Sequence, residues 1–191
     1  EKLEDYNKVG INRLSIGLQS THEHLLKEIG RIHTYLDFLD TFRFAREAGF
    51  ENINVDLMIG LPNQTLAEVQ DSIEEIVSME PEHISVYSLI LEEGTPLFKK
   101  VEEGLELPDE ELERKMYWTV KRILEANGYN HYEISNFAKQ GYESKHNLDC
   151  WNQKEYIGFG VAAHSYTNGI RYSNIENLEQ YIKNYEEDKT E

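Results

Sequence analysis

The sequence has very little cysteine and no long apolar run. Cys150 is the single cysteine in 191 residues, so the chain has no internal disulfide and no zinc site built from several cysteines. Such cysteine usage is typical of a reducing compartment, and we expect the protein to be cytoplasmic. No apolar segment approaches the ~20 residues of a transmembrane helix. The first residues, EKLEDYNK, lack the pattern of a signal peptide.

Basic residues are also scarce, because 36 Asp and Glu stand against 19 Lys and Arg and give a formal net charge of -17. A nucleic-acid-binding face needs clustered Lys and Arg to neutralise phosphates, so we expect no nucleic acid partner. No basic amphipathic helix suits an anionic membrane surface. The hydrophobic share of 39% is instead typical of a globular protein with a solvated acidic surface.

The clearest local pattern lies at residues 52–68, which read NINVDLMIGLPNQTLAE. Apolar and polar residues alternate first, which predicts a strand with one aliphatic and one polar face. Thr65 and Glu68 then have the spacing of a capping box that opens a helix. Asp56 is therefore predicted near the carboxyl end of a strand, where parallel α/β sheets and barrels bind ligands. The alternative is a carboxylate that accepts only local hydrogen bonds.

Two further strands are predicted at residues 14–19 and 83–91, with helices at 22–29, 34–48 and 65–79. The strands recur after roughly thirty residues or slightly more, a spacing that suits right-handed parallel βαβ crossovers. The first two strands carry one aliphatic and one small or polar face. That pattern favours a barrel with a polar interior over a flat sheet covered on both faces. The residues therefore predict an α/β fold with parallel strands.

The later part of the chain is less regular. It is predicted to contain a loop at residues 92–108, a helix at 109–126 and a strand at 129–137. A stretch rich in glycine and aromatics follows at 141–174, with tight turns and close backbone approaches. A helix at 176–185 follows that stretch. No internal repeat or low-complexity linker is visible.

Five side chains are candidates for ligand binding: Gln19, Arg31, Asp56, His146 and His164. An amide, a carboxylate and a guanidinium around one pocket suit a zwitterionic ligand, whose carboxylate Arg31 would bind. The alternative is an ordinary Arg–Asp ion pair. His146 can bind a metal centre such as haem iron, or it can be a surface residue. The sequence has no P-loop, no G-x-G-x-x-G motif and no recognisable nucleophile–base pair, so no catalytic residue is assigned.

Segments spread over nearly the whole chain resemble the oxygen-independent coproporphyrinogen III oxidase-like proteins, which are radical S-adenosylmethionine proteins. The segments are NRLSIGLQS, LKEIGR, NVDLMIGLPNQT, HISVYSLILEEGTPL, YEISNFAKQGYESKHNLDCW and YIGFGVAAHS. The HN-x-x-[YC]-W pattern at residues 146–151 and the YEISNFA run resemble the haem chaperone branch of this family. Cys150 is a departure, because that branch usually has tyrosine there.

The resemblance implies a partial (β/α)6 TIM-like radical SAM barrel. Residues 1–135 would be its later strands and helices, and residues 136–191 an extension that packs on it. The family binds a [4Fe–4S] cluster through C-x-x-x-C-x-x-C, and this sequence has no such motif. We therefore expect the cluster ligands, the first half of the barrel and a C-terminal domain to lie outside this chain.

The resemblance also implies the ligands. S-adenosylmethionine would contact Gln19, Arg31, Asp56, Ile90 and His164, with Arg31 on the methionine carboxylate. The last two would make apolar or backbone contacts. No metal ligand is assigned within the chain.

The same resemblance implies a haem chaperone, which binds haem or a related porphyrin and hands haem to acceptor proteins that require it. Its haem ligand would be His146. The first alternative is the oxygen-independent oxidative decarboxylation of coproporphyrinogen III to protoporphyrinogen IX. The second is a metabolite-binding α/β barrel domain unrelated to tetrapyrroles.

Overall fold

The computed structural model describes residues 1–187, and the last residues of the extension predicted at 136–191 lie outside that range. The chain forms two compact units, Glu1–Glu143 and Ser144–Glu191. This division falls later than the boundary expected at residue 135. The reason is that residues 136–138 form a strand of the first unit's sheet.

The first unit alternates helices and strands along most of its length. In chain order, its elements are α1 Lys2–Lys8, β1 Leu14–Gln19, α2 Glu23–Glu28, α3 Tyr35–Glu47, β2 Ile53–Ile59, α4 Leu66–Ser78, β3 His83–Ser88, α5 Pro96–Glu102, α6 Glu110–Ala126, β4 Asn130–His131 and β5 Asn136–Ala138. The strands form one sheet in the order β1-β2-β3-β5-β4. Strands β1, β2 and β3 are parallel, as predicted, and β5 is antiparallel to β3.

Two helices of the first unit begin as their local sequence requires. The Thr65 side chain accepts a hydrogen bond from the backbone N–H of Glu68, whose carboxylate accepts one from the Thr65 backbone. Thr34 and Asp37 form the same capping box at the start of α3. Each box satisfies two of the backbone donors left open at a helix start. These caps fix where α3 and α4 begin, the helices that precede β2 and β3 in the chain.

The apolar core lies between one face of the sheet and the helices. The four aliphatic residues of β2 are buried, as the alternation predicts: Ile53, Val55, Leu57 and Ile59. Side chains from α3, α4 and α6 belong to the same apolar cluster, among them Phe42, Ile73 and Val120. The opposite face of the strands is consequently left to the polar residues.

Four local expectations were wrong. Strand β3 ends at Ser88 rather than at residue 91, and Asp56 lies in the middle of β2 rather than near its carboxyl end. The predicted loop at 92–108 contains helix α5, which begins after a Thr95 cap with proline in its first turn. The predicted strand at 129–137 is two short strands, β4 and β5, which pair antiparallel across a turn.

The second unit contains α7 Lys145–Trp151, β6 His164–Thr167, β7 Ile170–Ser173 and α8 Leu178–Glu187. Strands β6 and β7 form an antiparallel hairpin. Its turn residues Asn168 and Gly169 both have positive φ, of 51° and 75°, as a tight two-residue hairpin turn requires. This confirms the tight turn predicted at Gly169.

Candidate functional site

The face of the sheet opposite the core is lined by side chains at alternating positions. Ser15, Asn54 and His83 stand side by side in the strand register, and so do Gly17, Asp56 and Ser85. We call these six residues the polar face. Since neighbouring strands lie about 4.8 Å apart, side chains in one row are within hydrogen-bonding reach of each other.

Asp56 is the one carboxylate of the polar face. It accepts hydrogen bonds from Asn54 Nδ2, at 2.7 Å from Oδ1, and from Ser15 Oγ, at 3.1 Å from Oδ2. Asp56 is partly exposed, whereas Asn54 is 3% exposed. No described residue forms an ion pair with Asp56, so the alternative of an Arg–Asp pair finds no support here.

His83 extends this hydrogen-bonded group from Asn54 to Tyr132. Its Nδ1 lies 2.6 Å from Asn54 Oδ1, and its Nε2 lies 2.6 Å from the Tyr132 hydroxyl. Ser85 Oγ donates to the same Asn54 Oδ1, at 3.0 Å. Burial, helped by the charge of Arg13, lowers the pKa of His83 to about 3, so His83 is neutral at physiological pH.

Gln19 lies at the carboxyl end of β1, as predicted, in an unusual conformation. Its φ is 70°, and the strand register shifts between Gly17 and Gln19, which is the mark of a bulge. The bulge turns the Gln19 amide over Gly17, where an added Cβ would lie 2.9 Å from Nε2. The Gln19 residue is 6% exposed, yet its Oε1 has no hydrogen-bond partner among the described residues.

An unpaired buried oxygen of this kind costs about 1–3 kcal/mol. It is therefore a position where a ligand hydrogen-bond donor would be favourable. Gly17 is needed for this arrangement because a larger residue would displace the amide.

Arg31 and Ile90 are both exposed. Arg31 follows Gly30, whose φ is 74°, and its backbone N–H donates to the Leu26 carbonyl at 2.9 Å. In the described part of the chain, the Arg31 guanidinium forms no ion pair and no hydrogen bond to Gln19 or Asp56. Ile90 follows the end of β3 and is 79% exposed. Both side chains are thus available to a ligand, and their roles stay predictions.

The other two candidates lie in the second unit. His164 is the first residue of β6, and its carbonyl packs against Gly158, where any Cβ would overlap it. This confirms a close backbone approach in the glycine-rich stretch. His146 lies on α7 rather than in a loop, because the Ser144 side chain caps a helix there. His146 is exposed, and its Nε2 lies 3.9 Å from Cys150 Sγ, one turn along the helix.

Residues 1–187 contain neither a metal-binding cluster nor a membrane-spanning helix. No group of three or more His, Cys, Asp or Glu in this range could hold a metal ion. None of the helices there has the length and apolar character needed to cross a membrane. One cysteine cannot supply the thiolates of a [4Fe–4S] cluster, so this chain's own residues do not fit that group.

Sequence reasoning missed three residues around the polar face: Arg13, His83 and Tyr132. Arg13 Nη1 donates to Asn52 Oδ1 at 3.0 Å. Burial lowers the pKa of the Arg13 guanidinium, although nearby Tyr132 and Asp56 oppose the shift. His83 is the first residue of the predicted strand at 83–91. Its position in that strand and the capacity of both ring nitrogens to form hydrogen bonds are the signals that could have found it.

A protein-family model and several known proteins match this chain. A family model described as the Radical SAM superfamily matches residues 1–76. The chain is 48% identical over 183 residues to "Heme chaperone HemW" of Bacillus subtilis (strain 168), covering 95% of this chain and 48% of that protein. It is 42% identical over 164 residues to "Radical S-adenosyl methionine domain-containing protein 1, mitochondrial" of Danio rerio, covering 85% of this chain and 37% of that protein.

The chain thus spans about half or less of the length of the curated relatives that it matches. A solved structure, described as "Coproporphyrinogen III oxidase (HemN) from Escherichia coli is a Radical SAM enzyme", matches with a TM-score of 0.78 and 22% identity. The match covers 97% of this chain and 46% of that one. At this identity the likeness shows the fold alone. It confirms the predicted α/β class with parallel strands, similar to part of the TIM-like barrel of that enzyme.

Proposed function

We propose that this chain, which belongs to the radical SAM superfamily, is part of a haem chaperone that binds haem and delivers it to haem-requiring proteins. The observation that carries the proposal is the 48% identity over 183 residues to a protein named as a heme chaperone. The exposed His146 on α7 supports it. We expect this protein to work in the cytoplasm.

S-adenosylmethionine fits the groups that the first unit leaves open. Its methionine carboxylate suits the Arg31 guanidinium, which can bind a carboxylate through two parallel hydrogen bonds. Its ammonium and ribose hydroxyl groups are donors, and Gln19 Oε1 is a buried acceptor without a partner. Asp56 has acceptor positions beyond those used by Ser15 and Asn54. With a reduced cluster, this cofactor is a source of radical chemistry.

Ile90 completes the proposed S-adenosylmethionine contacts of the first unit. It would offer apolar surface beyond the end of β3, where it is 79% exposed. The contact expected at His164 stays a prediction of the resemblance.

Haem would be held by the second unit. An imidazole nitrogen binds haem iron, and His146 presents its side chain to solvent on a short helix. Trp151, at the end of the same helix, is 57% exposed and offers an aromatic surface of the kind that a porphyrin contacts. Cys150 lies one turn from His146 and supplies a thiol where a tyrosine would supply a ring and a hydroxyl.

The testing experiment is a haem titration of the full-length protein, followed by its Soret absorption. We expect binding at one haem per protein, and we expect His146→Ala to weaken it at least about tenfold, since an iron ligand is lost. Lys145→Ala is the matched control, because Lys145 is an exposed neighbour on the same helix. It should bind haem like the wild type.

Two outcomes would contradict the proposal. Unchanged haem affinity in His146→Ala would remove His146 as the ligand. No haem binding by the wild-type protein would remove the chaperone function. The next assay would then be turnover of coproporphyrinogen III under anaerobic reduction, since the solved oxidase shares the fold.

A further inference from the structure

We propose that His83 is a positioning residue for S-adenosylmethionine, acting through Asn54 to hold the Asp56 carboxylate in its binding orientation. The inference rests on the proposed function, because it takes Asp56 as a ligand contact. We use the term Asp56 network for the hydrogen-bonded side chains Tyr132, His83, Ser85, Asn54, Ser15 and Asp56.

The Asn54 amide is the centre of the Asp56 network. Its Oδ1 accepts from His83 Nδ1 at 2.6 Å and from Ser85 Oγ at 3.0 Å. Its Nδ2 donates to Ser15 Oγ at 2.6 Å and to Asp56 Oδ1 at 2.7 Å. These four bonds use the whole hydrogen-bonding capacity of an amide side chain. The amide therefore has one orientation that satisfies all of its neighbours.

The proton positions in the Asp56 network follow from this orientation. Asn54 Oδ1 can only accept, so the proton of neutral His83 is on Nδ1. His83 Nε2 must then accept from the Tyr132 hydroxyl, 2.6 Å away. Every donor in the chain of bonds from Tyr132 to Asp56 thus points toward the carboxylate. Bonds aligned in this way strengthen one another.

Burial separates the support from the group that would contact the ligand. Asn54, Ser85 and His83 are 3%, 2% and 1% exposed, whereas Asp56 is partly exposed and Ser15, which holds its second oxygen, is exposed. Each Asp56 oxygen accepts one bond from the network, and a carboxylate has about four acceptor positions. The network therefore fixes the carboxylate from behind and leaves its other positions open to a ligand.

This hydrogen-bond geometry makes His83 necessary for the orientation of the Asn54 amide. Without a donor at the Nδ1 position, Asn54 Oδ1 keeps only the Ser85 bond, and the amide can turn. A turned amide would point its oxygen at Asp56 and repel the carboxylate. A displaced Asp56 carboxylate would bind S-adenosylmethionine less tightly, although the protein would still fold.

The test uses the full-length protein with its cluster, under anaerobic conditions, and measures S-adenosylmethionine affinity by calorimetry. We expect His83→Phe, which keeps a planar ring and removes both nitrogens, to weaken binding about tenfold. His83→Asn should restore affinity to within about threefold of the wild type, because its amide N–H can take the place of Nδ1–H. Haem affinity, measured in parallel, should be the same in all of these proteins.

A double-mutant cycle separates positioning from a general structural role. If His83 acts through Asp56, adding His83→Phe to Asp56→Ala causes no further loss of affinity. A further tenfold loss would show that His83 acts elsewhere and would overturn the inference. If His83→Phe does not fold, Tyr132→Phe is the substitute, since it removes one hydroxyl from the start of the network, and we expect about a threefold loss.

Failure of the inference and failure of the proposed function give different results. If Asp56→Ala weakens binding but His83→Phe and Tyr132→Phe do not, the positioning role is wrong and the proposed pocket stands. If Asp56→Ala itself binds S-adenosylmethionine normally, Asp56 is not a contact, and both the pocket assignment and the inference are wrong.

Discussion

The two units of the chain bury their side chains to very different degrees. In the first unit, a continuous apolar cluster extends over the strands and three helices, and the polar Asn54 and His83 are buried beside it. In the second unit, Ser165 is the one buried residue among those whose side chains the structure describes. Phe159 and Ile157 are 89% and 62% exposed there.

This difference shows two ways of holding the side chains that we propose as binding groups. The first unit fixes Gln19 and Asp56 by packing and by a strand register, so their geometry does not depend on a ligand. The second unit relies on local hydrogen bonds, such as Gly158 N–H to Ser165 Oγ at 3.0 Å and Asn174 Nδ2 to the Gly160 carbonyl at 2.7 Å. Its histidines stay open to solvent, which suits the capture and release of a cargo.

The largest expected effect tests the core of the first unit. Phe137 is fully buried in β5, so Phe137→Ala leaves a cavity and should lower the free energy of unfolding by about 3–5 kcal/mol. Denaturant unfolding followed by far-ultraviolet circular dichroism measures the loss, because helices and strands of both units contribute to that signal.

Ile157→Ala in the second unit is the matched control, because an exposed side chain loses few contacts. We expect a change within about 0.5 kcal/mol. Equal losses for Phe137→Ala and Ile157→Ala would mean that the two units do not differ in packing as described.

A smaller effect tests whether the two units bind different ligands. Arg31→Ala should weaken S-adenosylmethionine binding about 10- to 100-fold, the effect of losing about 1.5–3 kcal/mol of hydrogen bonding to a charged group. Haem affinity should stay at the wild-type value. Calorimetry and Soret titration of the same full-length preparation measure both.

Arg43→Ala is a suitable control, because Arg43 is an exposed arginine of α3 whose carboxylate partners lie on its own helix. Loss of haem binding together with S-adenosylmethionine in Arg31→Ala would refute the division of ligands between the units.

The smallest effect concerns helix caps and pH. Partial burial raises the pKa of Glu68, but hydrogen bonds from Thr65 lower it more, and the result lies below the ordinary value of 4.5. A lowered pKa in the folded state stabilises the protein above about pH 4.5, and this stabilisation is lost as the pH falls through the folded value. Glu68→Gln should therefore cost about 0.5–1 kcal/mol at pH 7 and less at pH 3.

Helix α7 provides the comparison for this prediction. Its cap is Ser144 Oγ, which accepts from the Asn147 backbone N–H at 3.4 Å, and Asn147 supplies no carboxylate in return. The cost of Ser144→Ala should therefore change little between pH 7 and pH 3. Thermal unfolding at both pH values measures the two variants, and a pH-independent cost for Glu68→Gln would contradict the capping argument.

Much of the first unit could be predicted from the sequence because its signals are local. The alternation in β2, the capping box of Thr65 and Glu68, and the recurring strand–helix spacing each involve residues close together in the chain. The position of Gln19 at the end of β1 followed from the same reasoning. Helix α7 was missed, because a Ser144 cap before a short, mostly polar segment is a weak signal.

The sequence by itself thus determined the order of β1, β2 and β3 with the helices between them, their parallel arrangement, and the faces of β1 and β2 that meet the core. These depend on periodicity and capping, which act within a few residues. The tertiary structure decided that Asp56 lies mid-strand, that a bulge turns Gln19 over Gly17, and that His83 reaches Asn54 and Tyr132. Those features depend on register and burial between segments far apart in the chain, where no local pattern specifies which side chains meet.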